Sequence, residues 1–382
     1  MTTIARSPKL MFVINSLEGG GAERVLCTIA REFAASNPGV DVHIATLDDV
    51  EDKYSVPDSI KRHRLDSKGA MLASLTNLRR VLKSESPDAV VTFLTRSNLV
   101  AALLGKTLGI PTLISERVNT TSHFSTRRAA GIFKFLIRLI YPLSRRIICV
   151  SGGVSEDLAI NFGISRSKLV TAFNPLDIER IKLLGSQEPA IALPSNYLVS
   201  VGRLMPNKNH ALTISALARS KTDFNLVILG EGPERSSLEA HARNLGLASR
   251  VQFAGHLANP YAVVANAQAY VSSSLAEGFP NALVEAMCLG RPILSTDCDS
   301  GPSEILDGRA TLKVTSCTEA PHGLLVPVLN EEALSDGIRK LSDQSLRADY
   351  GLRATKRAQD FSMEKAVEAY SAIIRSVAPL EA

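Results

Sequence analysis

The chain has no tryptophan and only five cysteines, Cys27, Cys149, Cys288, Cys298 and Cys317. None of the five forms a C-x-x-C pair, and their number is odd, which argues against a disulfide framework or a cysteine zinc site. A reduced, cytoplasmic setting is expected. No stretch approaches the ~20 apolar residues of a membrane span. The greasiest run, AGIFKFLIRLIYPL, is interrupted by Lys134 and Arg138. The opening MTTIARSPKLMFVINSL holds too short an apolar run for a signal sequence and reads as a strand. No Asp-x-Asp metal motif stands out. The glycine run Gly19–Gly20–Gly21 lacks the third glycine of G-x-G-x-x-G, because Arg24 takes that place. This weakens the case for an ordinary dinucleotide site.

What is present is globular. Of 382 residues, 45% are hydrophobic and 21% charged, enough to build sizeable cores rather than a disordered chain. The net charge of +5 suits anionic ligands or an anionic surface. Short apolar runs alternate with helical patterns: LMFVIN, VDVHIATL, DAVVTFL, PTLIS and RRIICVS in the first half. YLVSVGR, NLVILG, VQFAG, AYVSSS and PILST follow in the second. Near-continuous apolar strands separated by helices predict parallel sheets covered on both faces, an α/β class. The Pro-rich GSQEPAIALPSN reads as a linker at 185–196. It divides a first domain, 1–184, from a second, 197–362, and a last helix from 363 is expected to pack back on the first. Two doubly wound domains would face one another across a cleft at the carboxyl ends of their strands.

The chemistry concentrates behind the strands of the second half. In VGRLMPNKNH, Arg203 and Lys208 follow a strand and could both reach one anion, the arginine as a fork and the lysine as a point charge. Alternatively, both are solvated loop charges. In LAEGFPNALVEAM, Pro280 and Asn281 open a helix whose free N–H groups favour an anion. Glu277 and Glu285 flank that anion site. Alone, Glu277 would be a dipole-stabilising residue and Glu285 an exposed helix glutamate. A ligand that carries both negative charge and hydroxyls, such as a nucleotide-diphosphate sugar, reconciles the anion site with the two carboxylates.

These motifs, VGRLMPNKNH, GEGP, EGFPNALVEAM and TDCDSGPSEIL, together with LEGGGAERVL near the start, resemble those of the GT-B retaining glycosyltransferases of family 4. Glu277 and Glu285 match that family's E-x7-E element. The resemblance runs through the whole chain, is densest over 201–306, and is closest to members that build surface polysaccharides or lipid-linked oligosaccharides. It implies a GT-B fold of two Rossmann-like domains. It further implies that Arg203 and Lys208 hold the donor diphosphate, Glu285 the ribose and Glu277 the donor sugar. Gly278, Phe279, Pro280, Asn281 and Ala282 would add contacts at the helix start. Gly230 and Gly232 would lie by the nucleotide and Gly255 near the base, with Gly19, Gly20 and Gly21 lining the opposite side of the cleft. Many members carry a histidine where this chain reads Glu116–Arg117, and His123 follows six residues later. Glu116, Arg117 and His123 are therefore the acceptor-side candidates. Metal-independence is implied, with the leaving phosphate taking the acceptor proton.

From Arg117 to Arg146, both included, there are seven Lys or Arg residues and no acid. Arg127, Gly131, Lys134 and Arg138 share one helical face, and Arg128 adjoins it. The bland reading is a core helix with a solvated edge. The absence of acids favours an anionic partner, either membrane lipid or a polyprenyl diphosphate. The expected partners are a nucleotide sugar, a lipid-linked glycan acceptor and the inner face of the cytoplasmic membrane, and no nucleic acid. A nucleotide-sugar epimerase would turn over donor without acceptor. A non-catalytic sensor would bind donor without turnover. A soluble starch- or sucrose-type transferase is disfavoured by the basic helix.

Overall fold

The continuous apolar run of the first strand, Lys9–Ile14, supplies both faces of the first sheet in a computed structural model that describes residues 6–124 and 130–378. Leu10, Phe12 and Ile14 join one buried cluster, with Leu26, Ile29 and Phe33 of helix Gly21–Ser36. Met11 and Val13 join the cluster on the other face, with Leu78, Leu82, Val100 and Leu104. Successive side chains of a strand point to opposite faces, so a run apolar at every position needs helices on both sides.

The first sheet comprises β1 (Lys9–Ile14), β2 (Asp41–Thr46), β3 (Lys61–Arg64), β4 (Ala89–Phe93), β5 (Thr112–Glu116), β6 (Arg146–Cys149) and β7 (Leu169–Thr171). Its order is β3-β2-β1-β4-β5-β6-β7, and every pairing is parallel. The second sheet comprises β8 (Tyr197–Val201), β9 (Asn225–Leu229), β10 (Val251–Gly255), β11 (Ala269–Ser272), β12 (Ile293–Thr296), β13 (Thr318–Ala320) and β14 (Gly323–Val326). Its order is β10-β9-β8-β11-β12-β14-β13, parallel except for the β13–β14 hairpin. In each sheet the strand order reverses at one point, between β1 and β4 and between β8 and β11. Doubly wound sheets leave a ligand crevice at the carboxyl ends of the strands there.

Three elements differ from the sequence expectation. β3 reads KRHR and has no apolar residue, so only edge pairing to β2 makes it a strand. β7 and the β13–β14 hairpin are three or four residues long, too short to register as periodic runs.

The chain divides into two units, Met1–Pro175 with Glu364–Ala382, and Leu176–Met363. The first stops at Pro175 rather than at 184, because helix Ile178–Gly185 packs within the second. Gly185 lies against Leu289, and Cys288 Sγ is 3.8 Å from the carbonyl of Ile178. The stretch 185–196, read as a linker, is also tied to the second unit. The Asn259 amide donates to Leu184 O and Gln187 Oε1, each at 2.9 Å, and the Gln252 amide donates to Ala192 O at 3.1 Å. The last helix, Met363–Arg375, places Tyr370 and Ile374 in the core of the first unit.

Candidate functional site

In the second unit, the loops that follow β8 and β11 meet at the reversal of strand order. Leu275 N–H donates to Asn207 O at 2.8 Å, and Ser273 Oγ donates to Asn209 O at 2.7 Å. These bonds hold the 205–209 turn against the 273–277 loop. At their junction Lys208 Nζ is 2.5 Å from Glu277 Oε1, and both side chains are largely buried. The Lys208 stem runs over Gly202. Arg203 is exposed and has no side-chain partner among the described residues. One cation is thus engaged and one is free.

A second set of bonds joins the neighbouring loops. Gly202 N–H donates to Leu229 O and Leu204 N–H to Glu231 O, each at 2.9 Å, and Gly230 N–H donates to Gly255 O at 2.8 Å. Gly230 adopts φ +141°, and a Cβ there would stand 2.0 Å from the Gly202 carbonyl oxygen. Only glycine allows this approach of two backbones. Gly232 and Gly255 belong to the same stitched loops.

Behind Glu277, Ser300 Oγ donates to the Glu277 carbonyl, and Thr296 Oγ1 donates to Ser274 O at 2.6 Å. Gly301, at φ +97°, sits where a Cβ would lie 2.5 Å from Pro280 Cδ. Gly278, Phe279 and Pro280 are buried by this packing, and Phe279 meets Phe361 edge-to-face at 5.4 Å. Helix Asn281–Cys288 begins at once, with Asn281, Ala282 and Glu285 half-buried. Burial raises the Tyr270 phenol far above its usual range, and the charges of Glu277 and then Glu285 add to this. Both carboxylates therefore act on one buried ring. Beneath the β8 loop, His210 is buried 3.3 Å from Ser200 Oγ, and burial lowers its pKa to about 4. Ser300, Gly301 and His210 were not singled out from sequence. The motif TDCDSGPSEIL contains the first two, but nothing local shows that they brace a loop some twenty residues upstream.

In the first unit, Gly19 adopts φ +117° against the Lys53 side chain, and Gly20 precedes helix Gly21–Ser36 as its N-cap. Tyr54 O–H donates to Gly20 O at 3.1 Å. Next to this turn, Arg96 pairs with Asp48 and donates to Asn15 Oδ1 at 3.4 Å, while Ser97 Oγ donates to the same oxygen at 2.7 Å. Sequence reading missed this polar cluster, because its members follow three different strands.

Glu116 and Arg117, expected on the acceptor side, turn inward. Glu116 is 1% exposed, accepts from Tyr141 O–H at 2.6 Å and from Arg117 N–H at 3.1 Å, and is pushed up by burial to about 7. The Arg117 guanidinium is also buried. It donates to Tyr370 Oη at 2.7 Å and to Asn174 Oδ1, and lies over the Phe93 ring at 5.2 Å. Arg117 thus ties the last helix to the end of β5. The His123 side chain, Arg127 and Arg128 lie outside the described residues.

Helix Ala130–Ile140 differs from a core helix with a solvated basic edge. Ile132, Phe135 and Leu139 are 65%, 64% and 60% exposed, at spacings of three and four that place them on one stripe. Arg138 donates back to Asn161 O at 2.8 Å, and Lys134 is half-buried. Among the described residues, no helix is long and apolar enough to cross a membrane.

Residues 185–357 match the family described as glycosyl transferases group 1, and residues 19–180 match glycosyltransferase family 4. The chain is 33% identical over 371 residues to a Campylobacter jejuni enzyme, covering 94% of this chain and 96% of the relative. That relative is named N-acetylgalactosamine-N,N'-diacetylbacillosaminyl-diphospho-undecaprenol 4-alpha-N-acetylgalactosaminyltransferase. This chain is 28% identical to a lipopolysaccharide 1,6-galactosyltransferase of Salmonella typhimurium, over 78% of this chain and 82% of that one. Among solved structures, Anabaena HepE in complex with UDP superposes with TM-score 0.74 at 17% identity, over 96% of this chain and all of that one. The outer core galactosyltransferase WaaB gives 0.74 at 23% identity, over 96% and 99%. The fold is that of the GT-B glycosyltransferases.

Proposed function

The chain belongs to the family 4 glycosyltransferases, and from that premise we propose that it transfers a sugar from a UDP-sugar to a polyprenyl-diphosphate-linked glycan, with retention of configuration. The observation that carries this reading is the Lys208–Glu277 pair at the strand-order reversal, with Arg203 free beside it in sequence. A donor diphosphate would draw Lys208 and Arg203 to its oxygens. Glu277, relieved of its partner, would accept hydrogen bonds from the sugar hydroxyls, and Glu285 would accept from the ribose. In the reaction, the bond from the anomeric carbon to the phosphate oxygen breaks and the bond to the acceptor oxygen forms on the same face. The acceptor proton passes to the departing phosphate. The protein's part is to stabilise the charge on that phosphate. No metal ion is assigned a role at this site. The names of the Campylobacter and Salmonella relatives support a lipid-linked or lipopolysaccharide glycan as acceptor. The first unit would hold it, with the Gly19–Gly21 turn and the Asn15–Asp48–Arg96 cluster as its polar surface.

The test separates nucleotide from sugar recognition. Glu285→Gln should weaken UDP binding by roughly tenfold, the loss of one hydrogen bond to a charged group. Glu277→Gln should impair turnover of the UDP-sugar and leave UDP affinity nearly unchanged. Calorimetry with UDP alone distinguishes them, and equal losses in both variants would overturn the division of roles. Failure of every UDP-sugar to raise Tm would remove the donor assignment.

The exposed stripe of helix Ala130–Ile140, in a thirty-residue stretch free of acids, supports contact with an anionic membrane. Burying one such side chain contributes about 1.5–3 kcal/mol, whereas one basic residue near an anionic surface contributes about 1 kcal/mol. Phe135→Ser should therefore weaken binding to anionic vesicles by at least roughly tenfold. Lys134→Gln should do less, and high salt should mimic Lys134→Gln but not Phe135→Ser. Vesicle co-sedimentation at two salt concentrations reads this. Binding unchanged by either substitution would return the helix to a purely structural role.

A further inference from the structure

On one face of the paired strands β2 and β3, at the edge of the first sheet, two imidazoles and a carboxylate converge. His43 is the third residue of β2 and His63 the third of β3. The parallel register sets Lys61 beside His43 and His63 beside Ala45, so both rings project from one face, a diagonal step apart. His43 is fully buried, and its Nδ1 lies 3.0 Å from His63 Nε2. Glu85 ends helix Met71–Glu85. Its Oε2 is 3.8 Å from His43 Nδ1, and its Oε1 is 4.0 Å from His63 Nε2. The three donor atoms lie within 4.8 Å of one another.

Asp41 decides which way the buried ring presents itself. Its Oδ2 lies 3.0 Å from His43 Nε2, so it accepts the N–H there and leaves the Nδ1 lone pair directed into the cluster. A carboxylate behind the far nitrogen of a histidine is the arrangement that orients and strengthens metal-ligating imidazoles.

We propose that His43, His63 and Glu85 bind one divalent cation of the zinc type, at a structural site that ties β3 to β2 and to the end of helix Met71–Glu85. Two imidazole nitrogens and a carboxylate oxygen suit zinc, with water completing four ligands. In the structure, the Glu85 oxygens accept from Lys9 at 2.7 Å and from Lys61 at 2.9 Å. Lys61 is the more exposed and can release its oxygen into the metal's coordination. His63 then carries its proton on Nδ1 instead of Nε2, so binding neither oxidises anything nor frees a proton. β3 gains most from such a clip. It is an edge strand with no apolar side chain, and nothing in KRHR itself buries it.

The experiment uses the full chain, freed of metal with a chelator and then titrated with zinc chloride and, separately, cobalt chloride. One equivalent of zinc should bind with Kd of about 1 μM or tighter and raise Tm. Cobalt should give the visible absorption of a four-coordinate site. His63→Gln should abolish the Tm rise, and Glu85→Gln should weaken binding by more than about tenfold. His63 sits on a half-buried edge strand, so its replacement should leave the fold intact, which circular dichroism checks. The wild-type cobalt spectrum stands as a readout independent of either variant. Absence of stoichiometric binding to the wild type, or binding unchanged in both variants, would overturn the site.

Discussion

Replacing Lys208 with alanine should lower kcat/KM for the nucleotide sugar by roughly 10- to 100-fold. A hydrogen bond between charged groups contributes about 1.5–3 kcal/mol, and about 1.4 kcal/mol is a factor of ten. Two losses combine. The donor phosphate loses a cation, and Glu277, only 12% exposed at its side chain, is left without the ammonium that neutralises it. The unpaired carboxylate would also repel the incoming diphosphate. The loss should appear in kcat as well as KM, because the departing phosphate carries more charge in the transition state than in the bound donor. Arg203→Ala should act in the same direction by a smaller factor, since Arg203 is exposed and water can replace it in part. Steady-state kinetics with saturating acceptor reads both. Wild-type kcat/KM in Lys208→Ala would remove the phosphate site from this turn.

The stability of the first unit should fall as pH rises from about 4.5 to about 7, and Glu116→Gln should abolish that fall. The Glu116 carboxyl is raised from the usual 4.5 to about 7 by burial, against the hydrogen bonds from Tyr141 and from the Arg117 and Val118 backbone. The sign follows from proton linkage. Between those two values the unfolded chain has lost the proton and the folded chain keeps it, so stability declines with pH and levels off above about 7. The gap corresponds to roughly 3 kcal/mol. Glu85, held at about 2 by Lys9 and Lys61, changes stability only below that window. His210, lowered to about 4 by burial, has the opposite slope, since its buried ring resists the proton the unfolded chain accepts. The difference between variant and wild type cancels both. Chemical denaturation at pH 5 and pH 8 should give a free-energy difference that closes in Glu116→Gln. Parallel pH curves would mean that Glu116 is ionised throughout.

Much of the second unit's site is legible because its signals are local. Glycine, proline and charge follow short apolar strands at VGRLMPNK, GEGP and EGFPN, and a parallel sheet presents such loops at one edge. What could not be read is the link between them. Lys208 and Glu277 suggested two separate tasks, and the structure makes them one ion pair across 69 residues. The apolar stripe of helix Ala130–Ile140 was hidden for a related reason. Period alone cannot say which of two apolar faces meets the core, and Ile137 is buried while Phe135 is not.

The sequence by itself determined the class of fold, the family, and the residue types at the carboxyl ends of the second sheet. Strand burial and turn chemistry are written in neighbouring residues, and they need only the nearest few positions to act. Tertiary structure alone decided the fate of Glu116 and Arg117. In the sequence, the two charges that follow the apolar run PTLIS are acceptor-side candidates. Their partners arrive from Tyr141, Asn174 and Tyr370, the last 253 residues away, and only those partners make burial of a carboxyl and a guanidinium tolerable. Tertiary structure likewise brought His43, His63 and Glu85 together from two strands and a helix, a convergence no spacing in the chain records.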